Sequence, residues 1–149
     1  MTVYEYNNNE KAGKRFTHLI TITHEDLTEA TANTAQTIQM LSLPIGGVVK
    51  SAAFYLTTPF ENTADNTLNT TTLIVGDGSS TARYIASKEL NLNGSEVIAW
   101  ASPNSVDTFP YAYLTADTVD AVFGSMAAKS LVNLNNGEVK IYLEVSSLA

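Results

Sequence analysis

The sequence predicts an all-β protein, an antiparallel jelly-roll-like β-sandwich of about eight strands with one short helix at most. Apolar and polar residues alternate with a period of two over short stretches, which is the pattern of half-buried strands. Gly, Pro, Asn and Asp interrupt these stretches about every ten residues. Thr and Asn together make up about a fifth of the chain, and these residues favour strands and turns respectively.

The clearest strand signal lies in residues 130–145. Apolar and polar side chains alternate strictly from Glu138 to Val145, and the pair Asn136-Gly137 favours a type I′ turn. The sequence therefore predicts a β-hairpin here, with Leu134 opposite Val139.

The other elements are predicted from the same alternation and its interruptions. Residues 83–90 fit either a strand or one helical turn. Residues 117–128 predict the one short helix, with Asp117 as its N-cap and an apolar stripe from Val119 to Met126. The remaining predicted strands are 15–22, 35–43, 48–57, 70–75, 96–101 and 108–114.

One domain is expected from the length of 149 residues, which is enough for a substantial core. Residues 15–149 form the predicted β-sandwich domain. Residues 1–14 are polar and contain an Asn triplet, so they predict an N-terminal arm, with a frayed terminus as the alternative.

The charge balance excludes several classes of partner. A net charge of −7 argues against nucleic-acid binding and against docking on an anionic membrane. There is no cysteine, so no disulfide framework or thiolate site is expected. No secretory signal and no apolar run of membrane-spanning length is recognised, and we predict no membrane partner.

Candidate chemistry is sparse, and we predict no catalytic, cofactor-binding or metal-ligating residues. His18 and His24 lie near Glu25 and Asp26, but a local run of this kind is more typical of a solvated loop than of a metal site. Residues 61–69 lack the spacing of an EF-hand calcium loop. Residues 76–78, Gly-Asp-Gly, indicate a turn rather than a phosphate loop.

Acidic and aromatic residues offer two weaker functional readings. Loop aspartates could form a glycosidase pair, although scattered surface Asp is the default in an acidic protein. These aspartates are Asp65, Asp77, Asp107, Asp117 and Asp120. An aromatic set could stack on sugar rings, but core packing plus an interface face is the favoured reading. That set is Trp100, Phe109, Tyr111 and Tyr113.

Two stretches resemble a known group of proteins. They are DLTEATANTAQTIQMLSLPIGGVVKSAAFYLTTPFE and TLNTTTLIVGDGSSTARYIASKELNLNGSEV, which together span about half the chain. The pattern is similar to small tailed-bacteriophage virion structural proteins of the capsid cement or decoration type. This resemblance implies a jelly-roll body, commonly a trimer, that sits over junctions between major capsid proteins.

The leading prediction is therefore a non-enzymatic structural virion protein. It would bind the exterior of a phage head and stabilise it by cross-bridging major capsid proteins, with no cofactor. Expected partners are the major capsid protein and the chain itself, as a homotrimer. The expected location is the capsid surface of the virion, after synthesis in the host cytoplasm. The alternatives are a receptor- or glycan-binding module of a head fibre or tail fibre, and a small glycan-active enzyme.

Two sets of residues are candidates for contacts. The first is the capsid or partner contact of the arm, made by Tyr4, Tyr6, Lys11, Lys14 and Arg15. The second is a subunit-interface face on the outward side of the last predicted strand, made by Lys140, Tyr142 and Glu144.

Overall fold

The computed structural model describes residues 1–7, 15–93, 100–101 and 109–148, with residues 100–101 described by their backbone alone. Ten strands are present in this part of the chain, accompanied by 3₁₀ turns at His24–Asp26 and Leu131–Asn133. The strands are β1 Thr2–Glu5, β2 His18–Thr23, β3 Gln36–Leu43, β4 Gly47–Glu61, β5 Thr72–Asp77, β6 Ile85–Glu89, β7 Trp100–Ala101, β8 Tyr111–Ala112, β9 Asp117–Phe123 and β10 Asn136–Ser147.

Two antiparallel sheets form the body. The larger has the order β1-β2-β10-β4-β7, with β8 also paired to β4, and the smaller has the order β3-β9-β5-β6. The predicted all-β antiparallel sandwich is confirmed. No helix in the described part of the chain has the length and apolarity that crossing a membrane requires.

The core lies between the two sheets and follows the period-two pattern of the strands. Ile20, Phe54 and Ile141 point inward from the larger sheet and are fully buried. Val75 and Phe123 do the same from the smaller sheet. Burying such side chains contributes about 25 cal/mol for each Å² of apolar surface removed from water, which makes this layer the main source of stability.

The predicted hairpin in residues 130–145 is wrong. Val139 does alternate inward with Ile141 and Leu143, but β10 pairs with β2 on one side and β4 on the other. Leu131–Asn133 forms a 3₁₀ turn instead of a strand. Both edges of β10 are thus paired with strands that lie far from it in the sequence.

The predicted helix in residues 117–128 is also wrong. Asp117–Phe123 forms strand β9, the partner of both β3 and β5. Val119, Ala121 and Phe123 face the core from alternate positions. The stretch is rich in β-branched residues, which favour strands over helices. Pairing with a strand on each side stabilises the extended form more than a single N-cap residue stabilises a helix.

The N-terminal residues take part in the larger sheet. Within the predicted arm, Thr2–Glu5 forms β1 and pairs antiparallel with β2. The amino group of Met1 contacts the carboxylate of Asp26. Residues 8–14 lie outside the described part of the chain.

Candidate interaction surface

The outward side of the larger sheet carries a row of large side chains. Tyr4 pairs with Leu19, Leu19 pairs with Tyr142, and Tyr142 pairs with Ala53. Residues directly opposite one another in antiparallel strands share a face, so these four lie side by side. Tyr4 is 47% exposed, whereas Ile20, Ile141 and Phe54 on the inner face are fully buried.

Next to this row, aromatic rings surround a shallow pocket. The pocket has a volume of about 360 Å³ and is lined by Tyr6, Arg15, Phe16 and Tyr142. The rings of Phe16 and Tyr142 have centroids 5.6 Å apart. Tyr6 meets Tyr4 edge to face, with centroids 5.3 Å apart. We call the surface formed by Tyr4, Tyr6, Arg15, Phe16, Tyr142 and Glu144 the aromatic face.

Charged groups border the aromatic face in pairs. Arg15 Nε lies 3.5 Å from Glu144 Oε2, and the Arg15 side chain is 70% exposed. Lys140 Nζ lies 3.7 Å from Glu138 Oε1 along the same strand. Exposed pairs of this kind contribute little to stability, typically below about 1 kcal/mol, so they are free to exchange partners on binding.

The structure thus brings together residues that the sequence analysis treated as two sets. Tyr6 and Arg15 from the first set lie against Tyr142 and Glu144 from the second set. Lys140 points outward in the neighbouring row, beside Thr21 and Tyr55. Lys11 and Lys14 lie outside the described residues.

Phe16 of the aromatic face and Leu19 of the adjoining row were not singled out from the sequence. Both fall in the predicted strand 15–22, where they read as ordinary strand residues. The signal that could identify Leu19 is its alternation with Ile20 and Ile22, which are fully buried while Leu19 is not.

A cluster of polar side chains around Asp77 is buried at the end of β5. The Asp77 carboxylate accepts hydrogen bonds from the Ser79 amide at 3.1 Å and the Ser80 amide at 2.7 Å. Arg83 Nε donates to its Oδ2, and so does the Tyr113 hydroxyl at 3.1 Å. Burial alone would raise the pKa of Asp77, but the hydrogen bonds from Arg83 and the Ser80 amide outweigh it, so this pKa lies below its ordinary value.

The hydrogen bonds of this cluster tie the loop after β5 to Asp77. Asp77 is fully buried, and its two oxygens already accept from six donor atoms, so it presents no free lone pair to a substrate. The predicted turn at residues 76–78 is corrected: Gly76 and Asp77 end β5 and pair with β9, so the loop begins only at Gly78. The Asp77 amide donates to the Ser80 carbonyl at 3.0 Å. The loop is closed on itself by these bonds.

The aromatic set after residue 100 packs around the same cluster. Tyr84 stacks on Phe109 with centroids 5.5 Å apart, and its hydroxyl contacts that of Tyr113. The Arg83 guanidinium lies 3.9 Å from the centre of the Tyr111 ring. Burial is the main cause that raises the pKa of both Tyr84 and Tyr113. Phe109, Tyr111 and Tyr113 therefore contribute to the core, as the favoured reading of the sequence expected.

Among the remaining acidic candidates, burial raises the pKa of Asp120, and Asp117 lies close enough for its charge to raise that pKa further. Asp117 and Asp120 lie in β9 rather than in a loop, which corrects the sequence assignment. Asp65 lies in the loop after β4, where hydrogen bonds from Thr67 and Lys129 lower its pKa to about 2. Asp107 lies outside the described residues.

The two histidines occupy different environments. His18 Nδ1 lies 2.8 Å from the Thr17 hydroxyl, and its Nε2 lies 3.9 Å from Glu5. His24 begins the first 3₁₀ turn, together with Glu25 and Asp26. Among residues 1–7, 15–93 and 109–148, no group of three or more His, Asp or Glu side chains is arranged to hold a metal ion.

Comparison with known proteins gives similarity at the level of fold. No family model and no curated protein sequence matches the chain. A chain of the solved structure described as "Cyanophage Pam1 capsid asymmetric unit" is similar, with a TM-score of 0.55 and 17% sequence identity, over 88% of this chain and 82% of that one. A chain of "Acidic stable capsid structure of Helicobacter pylori bacteriophage KHP30" has a TM-score of 0.49 and 12% identity, over 88% of this chain and 91% of that one. The chain shares its sandwich fold with a component of the Pam1 capsid structure.

Proposed function

We propose that this chain is a structural virion protein, a capsid cement or decoration protein that binds the exterior of a phage head. The observation that carries the proposal is the similarity of fold, over most of both chains, to a component of the Pam1 capsid structure. The resemblance of residues 26–97 to small tailed-phage virion proteins supports the same conclusion. The partner is the major capsid protein, and the location is the capsid surface after synthesis in the host cytoplasm.

The aromatic face is the contact with the major capsid protein in this proposal. It combines four aromatic rings with an exposed Arg15–Glu144 pair, and aromatic residues and Arg are the types enriched in interface cores. Because Tyr6 and Arg15 adjoin Tyr142 and Glu144, we assign both predicted sets of contact residues to this one surface. Lys11 and Lys14, which lie outside the described residues, stay predicted contacts from the sequence.

The mechanism is cross-bridging without chemistry. A protein that binds the assembled shell more tightly than its separate subunits shifts the equilibrium toward the shell. We propose a homotrimer, because three linked copies convert modest contacts into avidity. The saturated hydrogen bonding of Asp77 favours a structural over a glycan-active role, since this buried carboxylate offers no reactive group.

Binding of variants to phage heads tests the proposal. Heads that lack this protein are mixed with purified protein, sedimented, and assayed for occupancy. Tyr142→Ala combined with Arg15→Glu should lower occupancy at least about tenfold, because an aromatic anchor and a charge contact are lost together. Val132→Ala, an exposed apolar residue in the second 3₁₀ turn, serves as the control and should bind like the wild type.

Point variants are preferable to removing residues 1–14. That deletion would strip β1 from the sheet as well as the arm, and it would expose the edge of β2. Absence of wild-type binding to heads, or equal binding by the double variant, would count against the proposal. A glycan array separates the alternative function, since a cement protein should bind no sugar.

A further inference from the structure

The strands at the edges of the two sheets differ in length and in charge. Edge strands expose unpaired backbone groups, and proteins protect them by short length or by charged side chains. β7 and β8 have two residues each, β1 contains Glu5, and β6 contains Lys88 and Glu89. β3 has eight residues, Gln36–Leu43, and none of them is charged.

The outer side of β3 is open along most of its length. In the described part of the chain, β3 pairs with β9 and with no other strand. Its start is held by Gln36, whose side-chain oxygen accepts from the amides of Thr28 and Glu29 at 2.8 and 2.9 Å. Beyond this point Thr37 and Gln39 are exposed, as their alternating positions require.

Two further observations describe this edge. Ile38 and Leu41 pack on the core but remain partly exposed, so a strand laid alongside would cover them. A register shift between Gln39 and Leu41 marks a bulge at Met40, which is the one protective feature of the strand. No charged residue in β3 adds to the protection that the bulge gives.

We propose that β3 is an interaction surface for a second copy of this chain, which pairs its own β3 antiparallel to the first across a two-fold axis. The two smaller sheets then form one continuous sheet. The net charge of −7 opposes contact between two copies over most of their surface, so a contact between copies is least opposed at an uncharged strand such as β3. Two-fold pairing sets identical strands against each other, and an uncharged strand creates no like-charge pair.

This contact goes beyond the proposed function and is independent of capsid binding. A two-fold contact is geometrically distinct from the contacts around the three-fold axis of a homotrimer. On a shell, it would join neighbouring decoration proteins laterally. Self-association through β3 is measured on the free protein. Absence of self-association and absence of binding to phage heads are therefore separate results.

Native mass spectrometry of the full chain tests the contact. The wild type should form assemblies with an even number of copies, and Thr37→Lys should reduce the assembly mass to about half, since it places a charge on the strand edge that pairs. Ser87→Lys is the matched control: Ser87 is also exposed on an edge strand of the smaller sheet, at its opposite side. It should leave the mass unchanged. A wild type with only odd-numbered species, or an unchanged mass for Thr37→Lys, would overturn the proposal.

A cross-linking experiment gives a second readout with milder substitutions. The chain contains no cysteine, so each single variant carries one thiol. Under oxidation, at least one of Thr37→Cys, Gln39→Cys and Ser42→Cys should yield a covalent dimer, while Ser87→Cys should not. If none of the three exceeds Ser87→Cys in dimer yield, β3 does not pair with itself.

Discussion

Asp120 lies opposite Gly76 in the β5–β9 ladder, and Oδ1 of its buried carboxyl group has no hydrogen-bond partner among the described residues. Gln39 of β3 flanks it on the other side. Burial is the main cause that raises the pKa of Asp120, and the charges of Asp117 and Asp77 add to it. The folded protein therefore disfavours the ionised form of this side chain.

Asp120→Asn should stabilise the protein at neutral pH by about 1 kcal/mol, because it removes a charge that lacks a hydrogen-bond partner at one oxygen. A raised folded-state pKa means that the folded state holds the proton more tightly, so wild-type stability falls as pH rises through that pKa. The advantage of Asp120→Asn should thus shrink toward acid pH. Urea unfolding at a series of pH values measures both effects.

Asp65→Asn is the control, and its effect on stability at neutral pH should have the opposite sign to that of Asp120→Asn. Hydrogen bonds from Thr67 and Lys129 lower the pKa of Asp65 to about 2, so the ionised form stabilises the folded state above its ordinary pKa. This substitution should destabilise at neutral pH, and its effect should fade as pH falls toward about 2. Equal pH dependence for the two variants would contradict the environments described above.

Arg83→Met should lower the free energy of unfolding by about 3 kcal/mol, because it leaves the fully buried Asp77 without its ionic partner. Adding Asp77→Asn should recover part of this loss, since no buried charge then remains unpaired. A double-mutant cycle by chemical denaturation measures the coupling. Strictly additive losses would show that the ion pair is not what holds the loop.

Gly76→Ala should destabilise by about 2 kcal/mol through overpacking. A Cβ at this position would lie 2.2 Å from the Ser80 carbonyl oxygen and 2.3 Å from the Thr81 carbonyl carbon, both backbone atoms of the loop that covers the strand. Gly46→Ala is the comparison: a Cβ there meets nothing within 4 Å, but the φ of +82° is strained for alanine. A loss of about 1 kcal/mol is expected for Gly46→Ala, and thermal unfolding should rank the two.

Tyr142→Ala should reduce stability by less than about 1 kcal/mol, because its ring lies on the outward side of β10 and its main partner is the Phe16 ring. Ile141→Ala, one position away but fully buried, should cost about 3 kcal/mol. Calorimetry on both variants checks this contrast. A large loss for Tyr142→Ala would mean that head-binding assays with this variant report unfolding.

The local alternation of residues predicted strands more reliably than it predicted their partners. The stretch from Val139 to Leu143 reads as a strand from sequence, and it is one. Its neighbours, β2 and β4, are far away in the chain, and nothing local encodes them. The Asn136-Gly137 pair misled the prediction because Gly137 has a positive φ, but Asn136 does not, and a type I′ turn needs both.

Local sequence also did not show which distant residues meet at the interaction surface. Arg15 and Glu144 are 3.5 Å apart in space and come from opposite ends of the sequence. Their proximity follows from the pairing of β2 with β10, which sequence periodicity does not reveal. The sequence predicts these residues as contact candidates in two separate sets, and only the sheet order shows that Tyr6, Arg15, Tyr142 and Glu144 lie on one surface.

The central position of β10 also has a consequence for biosynthesis. The larger sheet has β2 on one side of this strand and β4 on the other, so both wait with an unpaired edge until residues 136–147 have left the ribosome. Pairings between such distant segments form slowly, and open edges invite association with other nascent chains. Completion of the larger sheet therefore requires β10 to join two strands that precede it by many residues, and a chain interrupted before β10 would lose the middle of its sheet rather than its margin.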